Sequence, residues 1–246
     1  MIRTFLALAV CASTVATPLY AQDTLVVLDI ADINVKLGDT ALIPIIVVAP
    51  TDSIAGFTIP LALDRPQLLE FHDDYAVEQL GTLVSDWEVV TGNAQFSTSL
   101  LITAIPEGTP ISGPPGPLPP IMTPQTLVYA VGIIPCFRDP FGDNDVRIDG
   151  SNAFTHVSDP QGQLIEPVAV HSGIVTIQPP TLGDLDQSGE LNIADVVAVV
   201  ACAFRASCPV CGNLLGDLNC SGAVDVVDVV MEVEHVFRGG NQPFCF

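Results

Sequence analysis

Residues 183–238 hold one stretch written twice, and nothing else in the chain restricts its fold as tightly. Gly183-Asp184-Leu185-Asp186-Gln187-Ser188-Gly189 returns as Gly216-Asp217-Leu218-Asn219-Cys220-Ser221-Gly222. Each copy continues with an aliphatic residue (Leu191, Val224), then Asn192 or Asp225, then Asp195 or Asp228. An apolar segment ending in Phe204-Arg205 or Phe237-Arg238 follows. The offset is 33 residues, and 11 of the 23 positions aligned between 183–205 and 216–238 are identical. A repeat of this kind marks two equivalent structural units.

The spacing has a chemical reading. A calcium loop of the EF-hand kind takes oxygen ligands from positions 1, 3, 5, 7, 9 and 12, with glycine at position 6 for the sharp turn. In the first copy these are Asp184, Asp186, Ser188, the Glu190 carbonyl, Asn192 (often through water) and Asp195, with Gly189 at position 6. In the second they are Asp217, Asn219, Ser221, the Ala223 carbonyl, Asp225 and Asp228, with Gly222 at position 6. Hard oxygen donors at alternating positions suit Ca²⁺, so two ions are expected. The alternative is a pair of Asp/Gly turns without metal, but turns do not require an apolar residue at position 8 and Asp at position 12.

Two departures from the EF-hand pattern stand out: position 12 is Asp, and Gln178-Pro179-Pro180-Thr181 replaces a helix before the first loop. One loop followed by one helix, given twice, resembles the type I dockerin module. That resemblance implies a cohesin-type domain, of another or the same protein, as partner. It places partner contacts at the start and end of each helix: Ile193, Ala194 and Arg205, and Val226, Val227 and Arg238. Cellulosomal dockerins often carry Ser-Thr at the first pair, so this apolar version departs there.

From its start the chain reads as exported. Arg3, an apolar segment over 5–16 and Leu19-Tyr20-Ala21 before Gln22 form a signal peptide over 1–21, too short to span a bilayer permanently. Secretion, with or without attachment at the cell surface, follows. A lipoprotein reading would use Leu8-Ala9-Val10-Cys11, but valine before the cysteine is atypical. A net charge of −21 with only 7 basic residues disfavours nucleic acid and anionic membranes as partners. After the signal, Cys136, Cys202, Cys208, Cys211, Cys220 and Cys245 remain. Cys208-Pro209-Val210-Cys211 lacks a second ligand pair for zinc and a thioredoxin-like context, so structural disulfides are expected. Cys220, at position 4 of its loop, points away from the metal and is expected to bridge Cys245. Cys202 then pairs with Cys208 or Cys211.

Residues 22–178 have a different texture. Short β-rich segments at 25–30, 41–48, 54–63, 88–91, 95–104, 126–134, 146–148 and 173–177 alternate with Gly, Pro, Asp and Asn, the pattern of an antiparallel sandwich. In 54–63, Phe57, Ile59, Leu61 and Leu63 share one face. Residues 106–124, with eight prolines and three glycines, read as an exposed connection. Lys36-Leu37-Gly38-Asp39-Thr40, then 53–64 with its Ala55-Gly56-Phe57, and the closing Ser172–Ile177 stretch resemble a cohesin domain, related to carbohydrate-binding modules. The expected chain is therefore mostly β: a jelly-roll-like antiparallel β-sandwich over 22–178, a short linker over 179–182, and a small α-helical dockerin-like module with two EF-hand-like calcium loops over 183–246.

No catalytic constellation is legible. His72, His156, His171 and His235 are scattered, His72-Asp73-Asp74 reads as a solvated turn, and no nucleophile elbow or phosphate loop occurs. A non-catalytic assembly protein is the first functional expectation. The second is a carbohydrate-binding protein whose sandwich holds polysaccharide while the repeats tether it; Trp87, with Tyr75 and Tyr129, would be its thin stacking platform, although Trp87 reads first as core.

Overall fold

The computed structural model describes residues 26–48, 52–95, 98–106, 116–137, 143–205 and 207–239. The expected signal peptide therefore lies outside the described residues, as do Cys245 and the middle of the proline-rich connection.

Alternating burial builds two facing sheets. The strands are β1 (Val26–Ile30), β2 (Ile33–Val35), β3 (Thr40–Val48), β4 (Gly56–Leu63), β5 (Glu70–Phe71), β6 (Val77–Glu78), β7 (Val89–Gln95), β8 (Ser99–Ile105), β9 (Gln125–Ile133), β10 (Asp145–Gly150), β11 (His156–Ser158), β12 (Val168–His171) and β13 (Gly173–Ile177). One sheet runs β12-β1-β3-β9-β5 with β6 also on β9. The other runs β2-β13-β10-β4-β8-β7 with β11 on β4. Ala41, Ile43, Ile45 and Val47 of β3 face inward, as do Phe57, Ile59, Leu61 and Leu63 of β4, so the period-two pattern sets which face is core.

The antiparallel expectation needs one correction: β1 pairs with β12, and β2 with β13, in parallel. Both ends of the sandwich segment cross from one sheet to the other, the first at Ala31-Asp32 and the last at Ser172. Gly173 stands where the two crossings touch, and a Cβ there would lie 2.4 Å from the Ile30 carbonyl oxygen. The expected strands over 88–91 and 95–104 are found as the antiparallel pair β7 and β8, the first ending four residues later and the second starting four residues later than expected. The proline-rich connection is also less free than its composition implies. Leu118 donates its N–H to Ile54 O at 2.7 Å, and Leu118 and Ile121 are buried.

After β13 the chain forms α1 (Ile193–Arg205), a short α2 (Gly212–Leu215) and α3 (Val226–Arg238). Leu185, Val199, Cys202, Cys211 and Leu215 join the same buried cluster as the sandwich. Cys136, just after β9, is bonded to Cys211, and Cys202 to Cys208. Cys208 is one of the two partners expected for Cys202, and the bridge from Cys136 to Cys211 ties the C-terminal region to the sandwich. The two members of Cys208-Pro209-Val210-Cys211 have different partners. Gly38, at φ 76°, admits this contact, since a Cβ there would fall 2.2 Å from Val210 Cγ1 and 3.0 Å from Cys211 Sγ.

Candidate metal centre and docking helices

Each loop is folded by its own acids. In loop 1 (184–195), Asp184 accepts the N–H of Ser188 on Oδ1 (2.9 Å) and of Gly189 on Oδ2 (2.8 Å), drawing the turn around its first residue. Asp195, fully buried, accepts from Leu185 and Asp186 on Oδ1 (2.9 and 3.3 Å) and from Asn192 on Oδ2 (2.9 Å). Loop 2 (217–228) repeats the scheme. Asp217 takes Ser221 and Gly222 (2.9 and 3.0 Å), and Asp228 takes Leu218, Asn219 and Asp225 (2.8, 3.1 and 2.8 Å). Gly189 and Gly222 hold φ of 90° and 93°, which a side chain would strain.

The remaining expected ligands sort differently. Ser188 Oγ and Asn192 Nδ2 both donate to the Glu190 carbonyl (3.1 Å each), and Ser221 Oγ donates to the Ala223 carbonyl (3.0 Å). Asn192 Oδ1 accepts from Ala194 N–H, and Asp225 Oδ1 from Val227 N–H, so position 9 caps the helix that follows. Asp225 and Asp228 complete a reciprocal capping box on α3.

Carboxylate oxygens of Asp184, Asp186 and Asp195 lie within 4.8 Å of one another. Burial pushes the Asp184 carboxyl up, against the pull of the Gly189 and Ser188 amides; Ser188 holds Asp186 below the usual range. An all-oxygen, carboxylate-rich set without Cys or His fits a hard divalent cation. One further acid sharpens that fit. Glu232 of α3 is fully buried, and neither carboxylate oxygen has a hydrogen-bond partner among the described residues. Burial, with Asp195 and Asp184 adding, pushes its carboxyl up to about 7. A Cβ on Gly183 would lie 2.5 Å from Glu232 Oε2, so this carboxylate sits against the entrance to loop 1.

Beyond the loops, α1 and α3 leave apolar rows in solvent. Ile193, Val197 and Phe204 are each 63% exposed, and Val226, Val230, Val233 and Phe237 stand at the i, i+4, i+7, i+11 positions of α3, all exposed. Ala194 and Arg205, like Val227 and Arg238, are also exposed. The six partner positions read from the resemblance are therefore accessible at the helix ends, and the rows joining them were missed. The signal was present as an apolar period on the side of each helix away from Asp195, Val199 and Cys202, or Asp228 and Glu232. Cys220 is disulfide-bonded; its expected partner Cys245 lies outside the described residues.

In the sandwich, Trp87 is 2% exposed, tilted against Phe57 at 5.9 Å, and offers no sugar platform. His72 Nδ1 accepts the N–H groups of Asp74 and Tyr75, a local turn. No helix among the described residues is long and apolar enough to cross a membrane.

No family description matches the sequence, and no curated protein does. Similar solved structures are cohesin domains. One is a type I cohesin–dockerin complex from Clostridium thermocellum (16% identity, 67% of this chain and 100% of that one, TM-score 0.48). Another is the sixth cohesin of scaffoldin B from Acetivibrio cellulolyticus, in complex with a dockerin (16%, 63% and 100%, 0.47). A third is a non-cellulosomal cohesin from the archaeon Archaeoglobus fulgidus (12%, 64% and 92%, 0.42). Identities and scores this low assign no family, and the mostly β sandwich fold is defined here by its own strand order and register.

Proposed function

We propose that this chain is a secreted, non-catalytic assembly protein. Its C-terminal unit takes up two Ca²⁺ ions and docks a cohesin-type partner through α1 and α3; its sandwich, by sequence resemblance to cohesins, is the reciprocal half that receives a dockerin-type module. Asp184, Asp186 and Asp195 would hold the first ion and Asp217, Asn219 and Asp228 the second, the ions neutralising carboxylates that otherwise repel one another.

One observation carries the reading. Each repeat buries its position-12 acid at the start of a helix whose opposite face is left apolar and exposed. An ion that organises such a loop also fixes the helix that presents the face. Disulfides support an oxidising compartment. The polysaccharide reading has lost Trp87 as a platform.

Capture tests the proposal. The secreted chain, immobilised, is offered cohesin domains, dockerin modules and insoluble polysaccharide, each with calcium and with EDTA. Calcium-dependent retention of a cohesin domain is expected, weakened little by Arg205→Ala or Arg238→Ala alone and lost in the double variant, because the repeats can substitute for one another. Retention of polysaccharide alone, indifferent to EDTA, would replace this reading with the carbohydrate-binding one.

A further inference from the structure

The two loops are near copies, but α3 and α1 are not. At the position where α1 carries Val199, α3 carries Glu232, and both side chains are fully buried. A carboxylate in an apolar column is expensive unless its charge and its lone pairs are both answered. Here neither is. Both oxygens lack a hydrogen-bond donor among the described residues, and the neighbouring charges that act on the group are the Asp195 and Asp184 carboxylates, which raise the cost. Lys36, the cation that reaches loop 1, directs its ammonium to the Gln187 carbonyl at 2.6 Å. Protonation would remove the charge but would leave a hydroxyl with no acceptor.

The carboxylate's position is specific. Oε2 lies where a side chain on Gly183 would begin, directly beside the residue that opens loop 1, and Gly183 has the positive φ of 90° that keeps this space clear. Gly216, its counterpart before loop 2, is bordered by Gly212 O, Val224 and Leu185, with no acid. A divalent cation in loop 1, directly or through its bound water, satisfies at once the orphaned oxygens and the repulsion from Asp184 and Asp195.

We propose that Glu232 is a fourth carboxylate of the loop 1 cation site, supplied across the repeat by α3, and that loop 1 is in consequence the tighter of the two calcium sites. This rests on the calcium reading above and gives it an order. The first ion enters loop 1 and fastens α3 to it. Loop 2, with Val199 at the equivalent place, fills second.

Calcium calorimetry on the full secreted chain tests this in two backgrounds, Asp217→Asn to disable loop 2 and Asp184→Asn to disable loop 1. In the first, Glu232→Gln is expected to raise Kd about tenfold or more, in line with the dependence of such sites on ligand charge. Glu232→Val, the residue of the other repeat, is expected to do the same. In the second background neither changes Kd. Thermal unfolding supplies a sign that a packing role would not give: in chelator Glu232→Gln melts no lower than wild type, whereas its gain on adding calcium is smaller. An unmoved Kd in the Asp217→Asn background overturns the proposal, as does an equal loss in both backgrounds. A wild-type chain that binds no calcium overturns the calcium reading together with it, whereas two ions bound with affinities indifferent to Glu232 overturn this inference alone.

Discussion

Loop 1 and loop 2 fold by the same hydrogen bonds but are anchored to different things, and the anchor is the same position in each. Gln187 and Cys220 both occupy position 4 and both take left-handed backbone, at φ 53° and 58°. Gln187 uses the outward direction to meet the sandwich, its Nε2 donating to Leu37 O at 3.0 Å and its carbonyl receiving Lys36 Nζ. Cys220 uses it for a disulfide. Positions 1, 3 and 12 are held by the loop's own chemistry, so their residues vary little between copies. Position 4 faces away from them and is free to join each copy to its surroundings. The two loops are alike where they fold on themselves and differ where position 4 meets their surroundings.

The largest expected effect comes from cutting the tie between the two halves of the molecule. Cys136 and Cys211 are 75 residues apart in sequence, and a bridge closing a loop of that length contributes about 4 kcal/mol in the chain-entropy account. Replacing both with serine is expected to split thermal unfolding into two transitions, the helical unit melting first. A single transition at the wild-type temperature would mean that the shared core around Leu185, Val199 and Leu215 joins the halves without the bridge.

Calcium removal ranks next. An ion at a hundredfold excess over its Kd adds about 2.7 kcal/mol of stability. With EDTA, hydrogen exchange is expected to quicken at the Ser188, Gly189, Ser221 and Gly222 amides while β3, β4 and β9 stay protected. On titrating calcium back, protection should return at Ser188 and Gly189 first. The reverse order, or unchanged loop amides in chelator, would break the distinction drawn between the loops.

Most of this fold is legible in the sequence where burial alternates. The segments at 41–48, 126–134 and 173–177 emerge as β3, β9 and β13 nearly residue for residue, because inward Ile, Val and Leu positions set both period and face. The short strands β2, β5, β6, β11 and β12 are not legible. Two to four residues carry no period, and their pairing is decided by where the chain crosses between sheets. At the site, the acids that fold each loop were readable because their spacing is local. Cys136 and Lys36 were not, since their role comes from tertiary placement, although a cysteine outside the repeat region was a hint. Glu232 left a plainer trace as an acid in the column where the other copy has Val199; comparing the copies for their differences as well as their identities would have exposed it.

A pH dependence follows from that same acid in the metal-free chain. The folded Glu232 carboxyl lies near 7, above its ordinary 4.5. Below about 4.5 both folded and unfolded chains carry the proton and nothing is lost. As pH rises toward 7 the unfolded chain releases it first, so stability falls across that window and the full penalty stands above it. Asp184, also pushed up by burial, acts with the same sign from its own ordinary value of 3.8 upward. In EDTA, unfolding midpoints from pH 4.5 to 7.5 should therefore decline for wild type and decline less for Glu232→Gln. Parallel curves would show that the carboxylate finds a partner in solution that relieves its burial.

The smallest expected effect isolates the sandwich's hold on loop 1. Lys36 does two opposing things there. Its ammonium donates to the Gln187 carbonyl, a contact worth on the order of 1 kcal/mol net, and its charge helps keep Asp186 ionised, after the larger contribution of Ser188. A positive charge beside the proposed cation site favours the loop's fold and would oppose the ion. Lys36→Met removes both influences while keeping the apolar stem, so the two consequences should differ in sign: slightly lower stability in EDTA, and slightly tighter calcium binding at loop 1. The gain in affinity should shrink in high salt, where screening weakens the repulsion between the lysine and the ion. Loop 2 should be unaffected in both respects, since the bond that Lys36 makes to a calcium loop among the described residues goes to Gln187 of loop 1. The measurement is calorimetry of Lys36→Met in the Asp217→Asn background at low and high ionic strength. Weaker calcium binding would mean that Lys36 acts mainly by holding Gln187, and through it the loop, in the shape that receives the ion.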